Sequence, residues 1–437
     1  MLENKSKVLL PICYIEALER FAFLGFLGIF VFYLMDVFSF SKGEASAISA
    51  SLGAAIYAFG MFGAYLSDFC LGAKRCVLYG IVFIALGYLV LSFDFLILAL
   101  IFILLGSVLI KSNITSLLSK TYPNDSEYVF SIFYIFVNIG CFLGQMSAGL
   151  LIIHSYKLAF LTAFLSVFCA ILVFIFNAKN ISNEPIKYDF FKNNIKMILF
   201  FIAFVVFLSF FDLLAISKII SIVSVLLLIF FYFFIYKKVE NKGEFKKFAF
   251  YLLAAVFFYM LIFQGFNTLN ILIKNKVQFY VNDYLVPASW YLAFMFLVSI
   301  VTSTILSKIS KNNNINEALI IAISLFVAAS SFIFLGQLSK NDSINPAFIL
   351  FAYLMLGVSQ TCVGIFGLSV VSKVSSTEFK TSTMGIWFLC SAAAQGIEGI
   401  IVKYIDFISY EVYLSIQGFF VLFLSLIIFV LHKYLKI

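Results

Sequence analysis

Long apolar runs, interrupted at near-regular intervals by short polar clusters, occupy the chain from residue 8 to residue 432. Each run extends about 20 residues or more, enough to cross a hydrocarbon layer of roughly 30 Å as a helix rising about 1.5 Å per residue. Lipid offers no partners to backbone N–H and C=O groups, so continuous apolar runs of this length predict helices and not barrel strands. The polar punctuation places spans at 8–35, 45–69, 76–93, 96–118, 128–152 and 157–177, then 195–213 and 216–236. Six more follow at 248–273, 286–307, 317–336, 346–372, 381–403 and 411–432. The pattern is six spans, then two, then six, or about 14 in all. It divides the chain into an N-terminal six-helix bundle at 1–177, a linker with an inserted hairpin at 178–247 and a C-terminal six-helix bundle at 248–437.

Composition places the chain among all-α integral membrane proteins: hydrophobic residues make up 64% and charged residues only 11%, far from the balance of soluble domains. The formal charge of +8 is a matter of membrane topology and not of nucleic-acid binding. With the N-terminus inside, the cytoplasmic side holds Lys5, Lys7, Lys74, Arg75, Lys120, the lysines of 179–196 and 237–247, Lys308, Lys311, Lys373, Lys380, Lys433 and Lys436. The opposite side holds Lys42, Lys157, Lys218, Lys274, Lys276, Lys340 and Lys403. Both termini are therefore expected in the cytoplasm, with the protein a multi-pass protein of the cell (inner) membrane. The first apolar stretch is long, carries Glu-Glu-Arg and lacks a small-residue cleavage site, so it reads as a retained helix and not a signal peptide.

The chemistry available is sparse. Seven cysteines show no metal-type spacing, and the two histidines, His154 and His432, sit near predicted membrane edges. No phosphate-binding glycine loop, nucleophile elbow or metal cluster is present, so neither an enzyme nor a cofactor is expected, and an intramembrane proton must ride on a carboxylate.

One stretch breaks the apolar rule. In "YIEALERFAFLG", 14–25, Glu16, Glu19, Arg20 and Phe23 fall on one helical face. A charge at mid-membrane costs about 2.5–3.5 kcal/mol on insertion scales, so this stripe should face the protein interior. Arg20 and Lys111 are the cations lying within spans. At about 1.5 Å per residue, Glu16 to Arg20 lie roughly 12–18 Å deep, Lys111 roughly 11 Å, and Tyr57, Asn138 and Gln360 roughly 15–18 Å. Two carboxylates and two cations make a neutral set. Such a set either joins helices or forms a central solute and proton site.

These residues resemble the Glu-x-x-Glu-Arg-Phe motif of the proton-dependent oligopeptide transporter family, within the major facilitator superfamily. Other segments are similar in order: "GAYLSDFCLGAKR" at 63–75, "IKSNITSLLSKTYP" at 110–123, "FSIFYIFVNIGCFLG" at 130–144, "GLSVVSKV" at 367–374 and "MGIWFL" at 384–389. The six-two-six count also resembles bacterial members of that family. The resemblance implies a major facilitator fold in which two bundles rock about a central cavity. It implies proton coupling by Glu16, Glu19, Arg20 and Lys111, with protons as the coupling ion. The small-peptide substrate would meet Arg20, Tyr57, Lys111, Tyr134, Asn138, Gln360 and Trp387. Asp68 resembles a gating residue. Membrane lipid is the other expected partner, and function as a monomer is expected.

The chain also departs from the family pattern. Phe23 and Leu24 replace paired tyrosines, Leu27 replaces an arginine, Ile273 stands at an acidic position, Met295 at an asparagine and Gln360 at a glutamate associated with the peptide amino group. Glu398, 11 residues after Trp387, returns to nearly the same helical face. It reads either as a compensating acid or as a snorkelling or gate carboxylate near the outer membrane boundary. The expectation is a proton-coupled importer of di- and tripeptides. The alternatives are a relative that carries another small carboxylate-bearing solute, such as an amino acid or modified peptide, and a non-transporting nutrient sensor. A sensor calls for appended signalling regions, whereas the chain reads as short-ended and without a soluble domain.

Overall fold

The computed structural model describes residues 2–67, 71–122, 126–179, 212–239, 241–281, 284–309, 316–374 and 380–435. Among them, 13 helical stretches are long and apolar enough to cross a membrane. The first group comprises α1 (Leu2–Phe38), α2 (Lys42–Leu66), α3 (Ala73–Leu91), α4 (Leu96–Thr121), α5 (Ser126–Leu151) and α6 (Tyr156–Asn177). Next come α7 (Leu213–Tyr236), α8 (Lys242–Phe263) and the short α9 (Thr268–Lys276). The remainder are α10 (Ala288–Ile309), α11 (Glu317–Leu338), α12 (Pro346–Val374), α13 (Lys380–Ile401) and α14 (Tyr410–Leu431). The span predicted at 195–213 lies outside the described residues.

Local chemistry explains the boundaries. Asn241, Asn316 and Ser409 cap α8, α11 and α14 by accepting the N–H of Glu244, Leu319 and Val412, so each side chain satisfies one donor that a helix start leaves unpaired. Proline opens α12, where its missing N–H costs nothing. Beyond α1, Ser39 takes a left-handed backbone angle (φ 58°) that stops the helix before α2 begins.

The span predicted as continuous over 248–273 is instead broken. A 3-10 turn at Gln264–Phe266 separates α8 from α9, and Asn267 leaves helical geometry (φ −120°, ψ −98°). The apolar pattern fits a single span, but Gly265 weakens helix continuation. The polar side chains of Gln264 and Asn267 bond to neighbouring helices, which fixes the break. After α9, a two-stranded hairpin pairs Tyr280–Val281 with Tyr284–Leu285.

Contacts resolve the chain into two compact units, one of residues 1–29 and 55–216 and the other of residues 30–54 and 217–437. In the first, α3 packs along α4 and α6. In the second, α11 packs against α14 and α12, α10 against α12, and α13 against α8. The chain portion at 30–54 joins the second unit through polar contacts. Asp36 pairs with Lys274 at 3.1 Å, Asp406 accepts from Ser41 at 2.6 Å, and Ser217 of α7 donates to the carbonyl of Ala47 at 3.0 Å.

Candidate functional site

The polar stripe of α1 sits where small residues bring neighbouring helices onto its backbone. In α5, Gly140 and Gly144 lie so close to the carbonyls of Ala17 and Phe21 that a side chain at either would overlap them. Only glycine permits that approach, as at small-residue helix crossings in membranes. Gln145 of α5 then donates to the carbonyl of Leu24 at 2.5 Å, and Ser166 of α6 donates to that of Leu18 at 2.8 Å. These contacts engage Ala17, Leu18, Phe21 and Leu24, residues that alternate along α1 with Glu16, Glu19 and Arg20. The charges therefore occupy a fixed register on a clasped helix.

Within that register the guanidinium of Arg20 holds both acids through one nitrogen. Nε lies 2.5 Å from Glu19 Oε2 and 3.1 Å from Glu16 Oε1. Burial is almost complete, with Glu16 7%, Glu19 0% and Arg20 8% exposed, so the stripe faces protein and not lipid. The guanidinium also lies 5.4 Å from the ring centre of Phe23. The second oxygens, Glu16 Oε2 and Glu19 Oε1, are buried with no hydrogen-bond partner. Two carboxylates share one cation, an arrangement one negative charge in excess.

The nearest candidate to balance that charge is Lys111. Its Nζ lies 3.0 Å from the ring centre of Tyr57 and is buried with no hydrogen-bond partner. A tyrosine face attracts an ammonium but supplies no full opposite charge. The ammonium interacts electrostatically with Arg20, Glu19 and Glu16. Asn113 of α4 places it there, donating to the carbonyl of Gly63 in α2 at 3.1 Å and so bringing Lys111 beside Tyr57. Tyr57 in turn interacts with Tyr134 of α5. Tyr134 is 44% exposed, and the buried amide of Asn138 donates at 2.8 Å to the Tyr134 carbonyl one turn earlier. The first unit thus gathers Glu16, Glu19, Arg20, Tyr57, Lys111 and Tyr134, while Asn138 lies one turn from Tyr134 on α5 and bonds to its own helix.

The other candidates belong to the second unit, apart from Asp68, which lies outside the described residues. Gln360 of α12 has a buried Oε1 with no hydrogen-bond partner. Trp387 of α13 is buried, seated against Gly367 and packed edge-to-face on Tyr259 at 6.4 Å. The departures Ile273 and Met295 are buried apolar side chains. A snorkelling Glu398 is not what the fold holds. Its carboxylate is 0% exposed and accepts a hydrogen bond from Asn267 at 2.8 Å, because the helix break turns that amide towards α13.

The amides Asn267, Gln264 and Gln417 are polar residues that the sequence pattern left unassigned; Gln264 donates to Gln417 at 2.5 Å. A signal for them exists in "FQGFNTLN", 263–270, where four polar side chains and a glycine crowd one predicted span.

Known proteins are similar to this chain in sequence and in fold. The Major Facilitator Superfamily profile matches residues 15–397. The Bacillus subtilis (strain 168) protein called "Uncharacterized transporter YclF" is 26% identical, over 98% of this chain and 94% of its own. "Dipeptide and tripeptide permease B" of Salmonella typhimurium is also 26% identical, over 90% of this chain and 86% of its own. A crystal structure of a POT family transporter in complex with a thioalcohol-conjugated peptide superposes with a TM-score of 0.89 at 23% identity, covering 98% of this chain and 96% of that one. The chain belongs to the Major Facilitator Superfamily, and the proteins it resembles include ones named dipeptide and tripeptide permease.

Proposed function

We propose that this membrane transporter is a proton-coupled symporter that imports di- and tripeptides by alternating access, with the bundles 1–177 and 248–437 as its moving halves. One observation carries the reading. Glu16 and Glu19 share the single nitrogen Arg20 Nε, and each keeps a buried oxygen without a partner. Such a pair holds its excess charge stably by taking a proton or by drawing in Lys111.

The two options define a switch. With both acids ionised, they hold Arg20 and attract Lys111. A proton arriving from outside neutralises one acid, weakens its hold on Arg20 and frees positive charge for the carboxylate of a peptide. Lys111, resting on the Tyr57 ring and not in an ion pair, is the cation that moves at least cost. Release of substrate and proton inside restores the original pairing. Tyr134 and Asn138 line the substrate side of this cluster, Gln360 and Trp387 contribute from the second unit, and Asp68 and Glu398 serve gating. The protein works as a monomer in the cell (inner) membrane, with both termini cytoplasmic, and needs no cofactor beyond protons.

A second reading has its own observation. Gln360 is neutral, and an amide accepts a hydrogen bond from an ammonium without supplying opposite charge. A solute with a carboxylate but a blocked or differently placed amine fits that position as well. Uptake by purified protein in vesicles, driven by an inward proton gradient, distinguishes the two. Saturable uptake of dialanine and trialanine without free alanine supports the peptide reading; uptake of a different carboxylate-bearing solute alone replaces it.

A further inference from the structure

Glu398 lies in the interior of the second unit with none of its surface exposed. One carboxylate oxygen accepts the Asn267 side-chain N–H at 2.8 Å, and the other, Oε2, is buried with no hydrogen-bond partner. Neither oxygen has a cation. Glu317 is the informative contrast in the same unit. It is also largely buried, yet it pairs with Lys373 at 2.6 Å and accepts from Ser369.

Among the described residues, the groups shown beside Glu398 are neutral. The break between α8 and α9 presents the amides of Gln264 and Asn267, and α14 presents the phenol of Tyr413, which interacts with Glu398. From α12, the Tyr353 hydroxyl approaches the break at Gly265. From α7, Ser221 and Ser224 lie against Gly396 and Gly399 on the same helix as Glu398. Facing residues on α2 are Ala47 and Gly53. Among the described residues no lysine or arginine forms an ion pair with Glu398; Lys274 pairs with Asp36 and Lys373 with Glu317. A lone carboxylate in such surroundings is stable only when it carries a proton.

The position of the site matters as much as its neutrality. Asn267, which holds Glu398, is the residue at which the chain leaves helical geometry. Discontinuous membrane helices are common places for substrate and coupling-ion sites in transporter folds, because half-helix ends and unwound backbone supply polar partners there.

We propose that Glu398 is a second proton-binding site, separate from the α1 cluster, whose proton lets the acid stay buried without charge where α13 meets the break between α8 and α9, and leaves when the two separate. The step is a simple transfer. Water opened to the site accepts the proton from the carboxyl O–H, the carboxylate remains with its charge hydrated, and reprotonation by hydronium removes that charge so that the group can be buried again beside Asn267.

Infrared difference spectroscopy of the full chain in lipid bilayers tests occupancy without any transport assay. The expected result at neutral pH is a protonated-carboxyl C=O band that shifts in deuterated water, is missing in Glu398→Gln and persists in Glu16→Gln and Glu19→Gln. Glu398→Asp, which restores a titratable group, should recover it. A wild-type protein with no such band, or a band unchanged in Glu398→Gln, overturns the proposal.

Coupling rests on the symport reading and is measured separately, as dialanine accumulation against the imposed pH gradient. Glu398→Gln should keep counterflow exchange while the logarithmic slope falls by one proton per substrate; an unchanged slope removes the coupling role. If the wild type shows no proton-driven uptake, it is the symport reading that fails, and the spectrum still decides occupancy.

Discussion

At the scale of single residues, the α1 cluster is governed by the shortage of cations. Arg20 is one guanidinium shared by two acids, so its partners are not equivalent to ordinary surface ion pairs. Removing one partner from a buried pair costs about 3–5 kcal/mol when it strands the remaining charge, and because Arg20 keeps its other acid here, losing one acid costs less than that. Glu19, fully buried and at 2.5 Å the nearer acid, is where that cost falls hardest. Glu19→Ala is therefore expected to lower the melting temperature of the purified protein clearly more than Glu16→Ala. Equal or negligible shifts in a thermal melt would mean that the pairing contributes no stability.

The conservative amides test function at the same residues. Glu16→Gln or Glu19→Gln keeps size and hydrogen bonding but removes a titratable group. Proton-driven accumulation of dialanine should fall to the equilibrium level, while exchange across vesicles preloaded with dialanine continues. Concentrative uptake at the wild-type level in both variants would remove these acids from the coupling step.

At the scale of elements, the cluster depends on how closely α5 lies on α1. Gly140 and Gly144 touch the α1 backbone directly, and no smaller residue exists to relieve a side chain there. Overpacking a well-packed position costs about 1–3 kcal/mol, and here the displaced atoms are backbone. Gly140→Leu is expected to reduce thermal stability and abolish uptake together. Leu143→Ala, on an exposed part of α5, should leave both nearly unchanged. A Gly140→Leu protein with normal uptake would show that the register of α1 does not position the charges.

At the scale of the whole molecule, the uneven distribution of lysines predicts orientation. In a cysteine-free background, Lys238→Cys should be shielded from an impermeant thiol reagent added to intact cells, and Lys42→Cys should react. The reverse pattern would invert the topology. Proton coupling sets a further whole-molecule quantity. One proton per substrate across one pH unit is worth about 1.4 kcal/mol, or roughly tenfold accumulation. Uptake should therefore rise as the outside is acidified and collapse when a protonophore dissipates the gradient. Uptake indifferent to the protonophore would leave a transporter without proton coupling.

The sequence by itself determined the helical membrane class, the limits of the described spans to within a few residues, and the stripe Glu16, Glu19, Arg20 and Phe23. The physical reason is local. Lipid forces each span to satisfy its own backbone, and residues three and four apart share a face whatever surrounds them. Only the tertiary structure decided that Arg20 would hold both acids through one nitrogen and that Lys111 would rest on the ring of Tyr57. It alone decided that the span over 248–273 breaks at Gln264–Asn267 and that Glu398 turns inward to meet it. Each of those outcomes depends on which neighbour supplies or withholds a charge or a hydrogen bond. That choice is made by helices far apart in the chain, and the apolar pattern, which records only the preference for lipid over water, carries no trace of it.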